Sequence, residues 1–217
     1  MSTWSIIPLK SFKRPKSRLN DSLSLDQRRS LVKAMFITVS ESLKASSLFK
    51  ENFVVTEDKE VIKFAKSFGI KGFLQNKPGL NQGVKEITAV AKQKKVKNLF
   101  IIHADIPGVD EQIIRLIFNK HRKLLKIFKA GVTIAPDLKG EGSNCMICSP
   151  PDIIKFRYGP DSCTSHLEEA YDSGAKVQLY TSKKLGMDLD RDKDLIEFMK
   201  KKGLNHISEY FKQKNDG

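Results

Sequence analysis

Short apolar runs alternate with longer amphipathic stretches along the first two-thirds of the chain. A short apolar run bounded by turn residues is typical of a buried strand, and such runs lie at 5–9, 53–55, 72–74, 98–103 and 131–135. Apolar residues at helical spacing predict helices at 25–45, 58–68, 81–95 and 110–119. Ser24 with Gln27 three residues later forms a capping box, which sets the start of the first of these helices.

This alternation predicts an α/β fold with a mostly parallel central sheet and helices on both faces. After residue 136 the pattern loosens, and we expect an irregular insertion at about 137–165, although 144–149 within it resembles a strand. A helix at 164–173, a strand at 176–181 and a last helix at 190–202 follow. No linker or repeat interrupts residues 1–217, so a single domain is expected.

Polar or glycine-rich segments follow several of the predicted strands, at 10–18, 78–81, 104–105 and 137–144. In an open α/β sheet, ligands bind beyond the carboxyl ends of the strands. We therefore expect these segments to converge on one site at a single edge of the sheet.

The 217 residues include 39 Lys and Arg against 25 Asp and Glu, which gives a net charge of +14. This excess favours an anionic partner: nucleic acid, an acidic membrane surface or a phosphorylated small molecule. The chain lacks an apolar run of the roughly 18 residues that a membrane span needs, and its N-terminus lacks the layout of a signal peptide. Three cysteines make no disulfide framework, so a cytoplasmic location is expected. Basic runs at 120–129 and 200–202 are typical of solvated faces.

Cations and a carboxylate at the predicted edge suit a nucleotide. Lys10, Lys16 and Arg18 follow the first strand, and several cations in one loop can bind a di- or triphosphate. Asp105 follows the most apolar strand, where a carboxylate is well placed to hold Mg²⁺ against phosphates. Both features also have a simpler interpretation, the loop as a solubilising or nucleic-acid-binding surface and Asp105 as a turn or cap residue.

Two more segments admit two interpretations each. Asp188 and Asp190 would point to the same side of an extended chain and could face one metal, while Asp190 could equally cap the last helix. Asn81, after the flexible Gly79, either caps a helix or contacts the edge of a purine base.

Three cysteines and a histidine have spacings that resemble a zinc site: Cys145, Cys148, Cys163 and His166. Cys145 and Cys148 lie in a strand-like stretch, where residues three apart face opposite sides. We therefore favour ordinary buried residues over structural zinc, which remains an alternative.

A set of short motifs occurs in a fixed order along residues 5–198. They are Ile7-Pro-Leu-Lys10, Lys16-Ser-Arg-Leu19, Leu23-Ser24 with Arg28, Gly79-Leu-Asn81, Ala104-Asp-Ile-Pro107, Ala135-Pro-Asp137, Gly142-Ser-Asn144, the segment 156–166 and Asp188-x-Asp190 with Asp194-Leu195. In this order and spacing the sequence resembles the 2-phospho-L-lactate guanylyltransferase family, whose members act in the biosynthesis of the deazaflavin coenzyme F-420.

The resemblance implies a Rossmann-like nucleotide-diphospho-sugar transferase fold that uses GTP and Mg²⁺. It implies a set of roles: Asp105, Asp188 and Asp190 as metal ligands, Lys10, Lys16 and Arg18 on the triphosphate, Leu80 and Asn81 near the guanine, and Ser143, Gly159, Ser162 and His166 around the phosphate and carboxylate of the acceptor. Asp105 and Lys16 are the expected catalytic residues. Threonine is usual in the family where Ser143 stands, which leaves the choice of acceptor open.

The resulting expectation is transfer of GMP from GTP to 2-phospho-L-lactate or phosphoenolpyruvate, with no nucleic-acid or membrane partner. The segment 137–162 could form a protruding arm and favour a homodimer. Another small-molecule nucleotidyltransferase of the same fold, of molybdopterin or sugar-phosphate type, is one alternative. A basic nucleic-acid-binding protein and a zinc-stabilised module are the others, and the first of these lacks the interleaved aromatic residues that stacking on single strands requires.

Overall fold

The structure is a computed structural model that describes residues 2–13 and 15–200. The strands are β1 (Thr3–Pro8), β2 (Glu51–Thr56), β3 (Lys71–Leu74), β4 (Asn98–Ile102), β5 (Gly131–Pro136), β6 (Ser143–Ser149) and β7 (Lys176–Leu179). The helices are α1 (Leu25–Ser46), α2 (Lys59–Ser67), α3 (Leu80–Gln93), α4 (Glu111–Ile127), α5 (Ser162–Asp172), α6 (Lys183–Gly186) and α7 (Asp192–Lys200). A 3-10 turn at Ser17–Leu19 precedes α1.

The seven strands form one sheet in the order β3-β2-β1-β4-β6-β5-β7. β1 pairs in parallel with β2 and β4, β2 with β3, and β5 with β7, whereas β6 is antiparallel to both of its neighbours. The predicted α/β fold with a mostly parallel sheet is thereby confirmed.

Helices cover both faces of this sheet. Side chains of α1, α2 and α4 pack with Ile7 and Phe100 in one core, and those of α3 and α5 pack with Ile6 and Leu99 in the other. Successive residues of a strand point to opposite faces, so each neighbouring pair contributes one side chain to each core. β4 is buried along all of its length, which explains the near-continuous apolar run that predicts it.

The predicted capping residues begin the helices as expected. Ser24 and Gln27 form the reciprocal capping box of α1, and the side chains of Asp58 and Asp110 accept backbone hydrogen bonds at the starts of α2 and α4. These short polar side chains satisfy backbone N–H groups that have no partner within the helix.

The segment 137–165, expected to be an irregular insertion, contains a central strand, and the expectation is wrong for 143–149. β6 lies between β4 and β5, and all seven of its residues are buried. A strand buried on both faces shows no apolar–polar alternation, so its small and polar residues resemble a loop beyond the stretch 144–149. Residues 150–161 form neither helix nor strand. The expected homodimer stays a prediction.

Two helix boundaries differ from the predicted ones. α4 continues past residue 119 because Ile117, His121 and Leu124 extend its buried face. The last helix begins at Asp192 rather than at residue 190, and residues 201–202 of the predicted helix lie outside the described residues. None of the helices within residues 2–13 and 15–200 combines the length and the apolar character that a membrane span requires.

Candidate active site

An ammonium group lies between two carboxylates at the carboxyl edge of the sheet. Lys16 Nζ is 2.6 Å from Asp105 Oδ2 and 3.3 Å from Asp190 Oδ1. The backbone of Lys16 is left-handed, with φ of 48°, where the loop after β1 turns into the 3-10 turn. Arg18 Nη1 donates to the second oxygen of Asp190. Residues far apart in sequence therefore meet in one charged group, which we call the Lys16 cluster: Lys16, Arg18, Asp105, Asp188 and Asp190.

The charges of the Lys16 cluster support one another against the cost of burial. Burial opposes ionisation of Asp105, but the nearby Lys16 and then His103 hold the pKa of this carboxyl below its usual value. Burial likewise opposes the charge of Lys16, and Asp105 and Asp190 together raise its pKa. Asp188 differs, because burial and then the charge of Asp105 raise its pKa.

The same residues suit a divalent cation. Within residues 2–13 and 15–200, no group of three His, Cys, Asp or Glu side chains is already arranged to hold a metal ion. Three carboxylates nevertheless surround the ammonium of Lys16, and Asp105 Oδ1 is buried without a hydrogen-bond partner among the described residues. Oxygen donors of this type are the ligands that Mg²⁺ prefers, so the donor set fits the ion.

Two adjoining cavities open beside the Lys16 cluster. The larger, about 670 Å³, is lined by Lys10, Lys16 and Asp105 among others, and a smaller one of about 250 Å³ is lined by Leu80. Lys10, Glu57 and His103 line both cavities. A cavity of roughly 300–1,000 Å³ is typical of small-molecule sites, so the larger one has the size to bind a ligand.

A second group of side chains, the Ser143 cluster, is buried and neutral: Ser143, Ser162 and His166. The backbone N–H of Arg157 donates to His166 Nε2 at 2.9 Å, so the neutral ring carries its proton on Nδ1 and donates to Ser143 Oγ at 3.0 Å. Burial lowers the pKa of His166 to about 4. Ser162 Oγ in turn accepts from the backbone N–H of Ser143 at 3.1 Å.

Gly159 lies outside this hydrogen-bonded group but leads into α5. Its φ of 147° is one that side chains other than glycine rarely adopt, and the space beside it is open. Three residues later Ser162 begins the helix. The exposed turn therefore presents free backbone beside buried hydroxyl groups.

The side chain of Asn81 is bound to the backbone of Tyr158. Asn81 Nδ2 donates to the Tyr158 carbonyl at 2.9 Å, and the Tyr158 N–H donates to Asn81 Oδ1 at 2.7 Å. Of the two residues predicted near a guanine base, Leu80 thus lines the smaller cavity, while the amide of Asn81 is held by another segment of the chain.

Comparison with known proteins identifies the family. The sequence model of the family described as "Guanylyl transferase CofC like" matches residues 3–215. The chain belongs to this family. A guanylyltransferase accounts for a site that combines clustered cations with carboxylates.

Curated relatives of this guanylyltransferase family differ in the acceptor that their names state. A 2-phospho-L-lactate guanylyltransferase from Methanocaldococcus infernus is 30% identical over 89% of this chain and 82% of its own. A phosphoenolpyruvate guanylyltransferase from Conexibacter woesei is 29% identical over 90% of this chain and 86% of its own. A 3-phospho-D-glycerate guanylyltransferase from Colwellia psychrerythraea is 28% identical over 90% of both chains.

Solved structures share the fold of this guanylyltransferase at low sequence identity. A crystal structure from Desulfovibrio desulfuricans G20, described as a nucleotide-diphospho-sugar transferase, has a TM-score of 0.74 at 15% identity and covers 100% of this chain and 96% of its own. A CMP:2-keto-3-deoxy-manno-octonic acid synthetase has a TM-score of 0.62 at 10% identity, covering 91% and 97%. These likenesses support the predicted nucleotide-diphospho-sugar transferase fold.

The zinc alternative is not supported by the positions of the cysteines. Cys145 packs in one core, whereas Cys148 and Cys163 pack in the other. All three are buried free thiols, and both ring nitrogens of His166 already have hydrogen-bond partners. These residues are therefore structural in this guanylyltransferase, apart from the link of His166 to Ser143.

Two cavity-lining residues were missed by the sequence reasoning. Glu57 directly follows β2 and His103 directly follows β4, so the rule that ligands bind beyond carboxyl ends could have found both. His103 Nε2 is buried without a hydrogen-bond partner among the described residues. Glu57 offers an exposed carboxylate to both cavities.

Proposed function

We propose that this protein transfers GMP from GTP to a three-carbon phospho-acid and releases pyrophosphate, as a step in coenzyme F-420 biosynthesis. The observation that carries the proposal is the Lys16 cluster, which lies at the carboxyl edge of the sheet beside a cavity of about 670 Å³. The acceptors in the relatives' names, 2-phospho-L-lactate, phosphoenolpyruvate and 3-phospho-D-glycerate, are all phosphorylated three-carbon acids.

On the nucleotide side, Lys10, Lys16 and Arg18 bind the triphosphate, and Leu80 lies against the base. Lys10 lines both cavities, so its charge is available to an anionic ligand in either. Held by Asp105, Asp188 and Asp190, Mg²⁺ would neutralise phosphate charge and polarise the phosphorus that is attacked. Lys16 would then exchange its carboxylate partners for phosphate oxygens.

The reaction forms one bond and breaks one. A phosphate oxygen of the acceptor attacks the α-phosphorus of GTP, and the bond from that phosphorus to pyrophosphate breaks. The attacking phosphate is largely ionised at neutral pH, since its second pKa is about 6. No general base is needed, and the chain contributes alignment and charge neutralisation.

On the acceptor side, Ser143, Gly159, Ser162 and His166 hold the phosphate and the carboxylate of the phospho-acid. The hydrogen bonds within the Ser143 cluster fix the hydroxyl groups before any ligand arrives. A neutral His166 keeps Ser143 Oγ as an acceptor from the ring, so the hydroxyl proton of Ser143 is free to bond an anionic oxygen.

The test is a matrix of nucleotides and acceptors, read by pyrophosphate release. GTP with at least one of the three phospho-acids should turn over, and a product containing both GMP and the acid should appear by mass spectrometry. CTP and ATP should react at least about tenfold more slowly, because the base is read by fixed polar groups. Turnover with a sugar phosphate or molybdopterin acceptor alone, or no turnover with GTP and any of the phospho-acids, would contradict the proposal.

A further inference from the structure

The amide of Asn81 makes the two hydrogen bonds that one backbone residue makes with another across a sheet. Its Oδ1 accepts from Tyr158 N–H at 2.7 Å and its Nδ2 donates to Tyr158 O at 2.9 Å. Both bonds exist only in this orientation of the amide, because a flipped group would set oxygen against oxygen and N–H against N–H. The pair joins positions 77 residues apart.

This pair connects the two substrate sides of the proposed reaction. Asn81 belongs to the first turn of α3, next to Leu80 in the smaller cavity. Tyr158 is followed at once by Gly159 and, four residues on, by Ser162 at the start of α5. Fixing the backbone of Tyr158 therefore fixes the point from which the acceptor turn departs.

The ring of Tyr158 is held on the other side by two histidines. Its centroid is 4.7 Å from that of His166 and 5.2 Å from that of His103. His166 belongs to the Ser143 cluster and His103 lines both cavities. Movement of this tyrosine would be felt by both sides of the site.

An amide used in this way cannot also read a base with the same edge. Bidentate recognition of a purine by asparagine needs its oxygen and the adjacent N–H together. In Asn81 both of these face Tyr158. The arrangement favours a positioning role over a contact with guanine.

We propose that Asn81 is a positioning residue that sets the acceptor turn 158–162 against the start of α3, and that it does not select the nucleotide base. The inference rests on the proposed function, since it assigns Asn81 to one of the two substrates of that reaction. Its effect is expected in the binding of the phospho-acid rather than of GTP.

Steady-state kinetics of Asn81→Ala and Asn81→Asp test this proposal. Both variants lose the donor to Tyr158 O, so the KM for the phospho-acid should rise about tenfold, as expected for the loss of a buried or half-buried hydrogen bond. The KM for GTP and the ratio of kcat/KM between GTP and ATP should stay within about twofold of wild type. Gln82→Ala is the matched control, because this neighbouring amide bonds Glu86 within α3, and neither KM should change.

Hydrogen exchange supplies a readout that does not depend on turnover. Loss of the pair should speed exchange of backbone amides in 158–162 in Asn81→Ala and not in Gln82→Ala. A changed GTP-to-ATP ratio, or an unchanged acceptor KM with unchanged exchange, would overturn the positioning role. If wild type does not turn over at all, the proposed function fails, while the exchange result still decides whether Asn81 holds the turn.

Discussion

The Lys16 cluster and the Ser143 cluster lie at the same edge of one sheet but are built in opposite ways. The first gathers full charges whose side chains remain partly open, with Lys16 10% and Asp105 27% exposed. The second consists of neutral groups, with Ser143 2%, Ser162 3% and His166 0% exposed. Charges exchange partners readily where water can reach them, whereas buried neutral hydrogen bonds keep one geometry.

This difference indicates a division of labour. A triphosphate needs several mobile cations and carboxylates that can trade one ionic partner for another. A small phospho-acid that differs from its rivals by a few atoms needs fixed donors whose positions reject the wrong shape. The predictions below test whether the two clusters divide the work in this way.

The largest effect is expected at Asp105. Asp105→Asn removes one charge from the Lys16 cluster and should lower kcat by at least about 100-fold, because electrostatic stabilisation of developing charge is lost. Pyrophosphate release measures the rate, and an unchanged circular dichroism spectrum shows that the fold is kept. Asp152→Asn, which removes an exposed partner of Lys92, is the control and should keep full activity. Near-wild-type release from Asp105→Asn would show that this cluster does not serve the phosphates.

Lys16→Gln should separate stability from Mg²⁺ binding. The variant leaves Asp105 and Asp190 without their ammonium partner, and we expect a loss of about 1–3 kcal/mol in the free energy of unfolding. Added Mg²⁺ should restore more stability to the variant than to wild type, because the carboxylates then gain a cation. Thermal melts with and without Mg²⁺ measure both. An equal response of the two proteins to Mg²⁺ would contradict the idea that ammonium and metal share these carboxylates.

Two buried histidines should make the protein less stable in mild acid. Burial lowers the pKa of both His166 and His121 to about 4, below the usual value of 6.5. The unfolded chain therefore binds their protons first as the pH falls below about 6.5, and each histidine should cost about 2 kcal/mol of stability between pH 7 and pH 5. Denaturant titrations at the two pH values measure the loss.

The same two histidines compare a site residue with a structural one. His121 bonds Thr133 and Ser149 inside the protein. His121→Gln and His166→Gln should each remove part of the pH dependence, but only His166→Gln should raise the KM for the phospho-acid. An equal effect of both variants on that KM would mean that His166 acts through general stability.

Ser143→Ala should affect one substrate alone. It removes the hydroxyl that His166 holds, so the KM for the phospho-acid should rise about tenfold while the KM for GTP stays unchanged. Ser149→Ala, at the other end of β6, loses its bonds to His121 and Asn98 and should alter stability without altering either KM. A rise in the KM for GTP in Ser143→Ala would blur the division between the two clusters.

The smallest effect is expected from the basic stretch 120–129. Replacing Lys120, Lys123 and Lys126 together by glutamine should leave kcat/KM for both substrates within about twofold, because surface charges distant from a site act weakly at physiological salt. Steady-state kinetics at about 0.15 M salt check this. A larger loss would bring α4 into the account of substrate binding.

The sequence predicts well whatever depends on local pattern. The capping box at Ser24 and the position of Asp105 after the most apolar strand follow from spacing and strand order alone. The partner of Lys16 does not, because Asp190 is 174 residues away and its approach depends on how the last segment crosses the edge of the sheet. The same holds for Asn81, whose amide suits a helix cap, a base or a distant peptide equally well from sequence.

β6 is hidden for a different physical reason. A strand that is buried on both faces and lies between two others needs no alternation of polar and apolar residues. Its cysteines and serines are small enough to fit a crowded interior, and in sequence they resemble the loops around them. Only the pairing partners β4 and β5 reveal its role.

The antiparallel direction of β6 also makes the sheet a ruler for the reaction. Because β6 runs against β4, its first residue Ser143 lies beside the end of β4, where Ile102 pairs with Cys145 and Asp105 soon follows. A slip of one residue would turn every side chain of β6 to the wrong face, so the next tolerable register is two residues away, a step of about 7 Å. Reacting atoms must come within roughly 3–3.5 Å of each other. Acceptor and nucleotide can therefore be misaligned only in whole steps too large for catalysis, and thermal motion of the sheet cannot shift them gradually out of line.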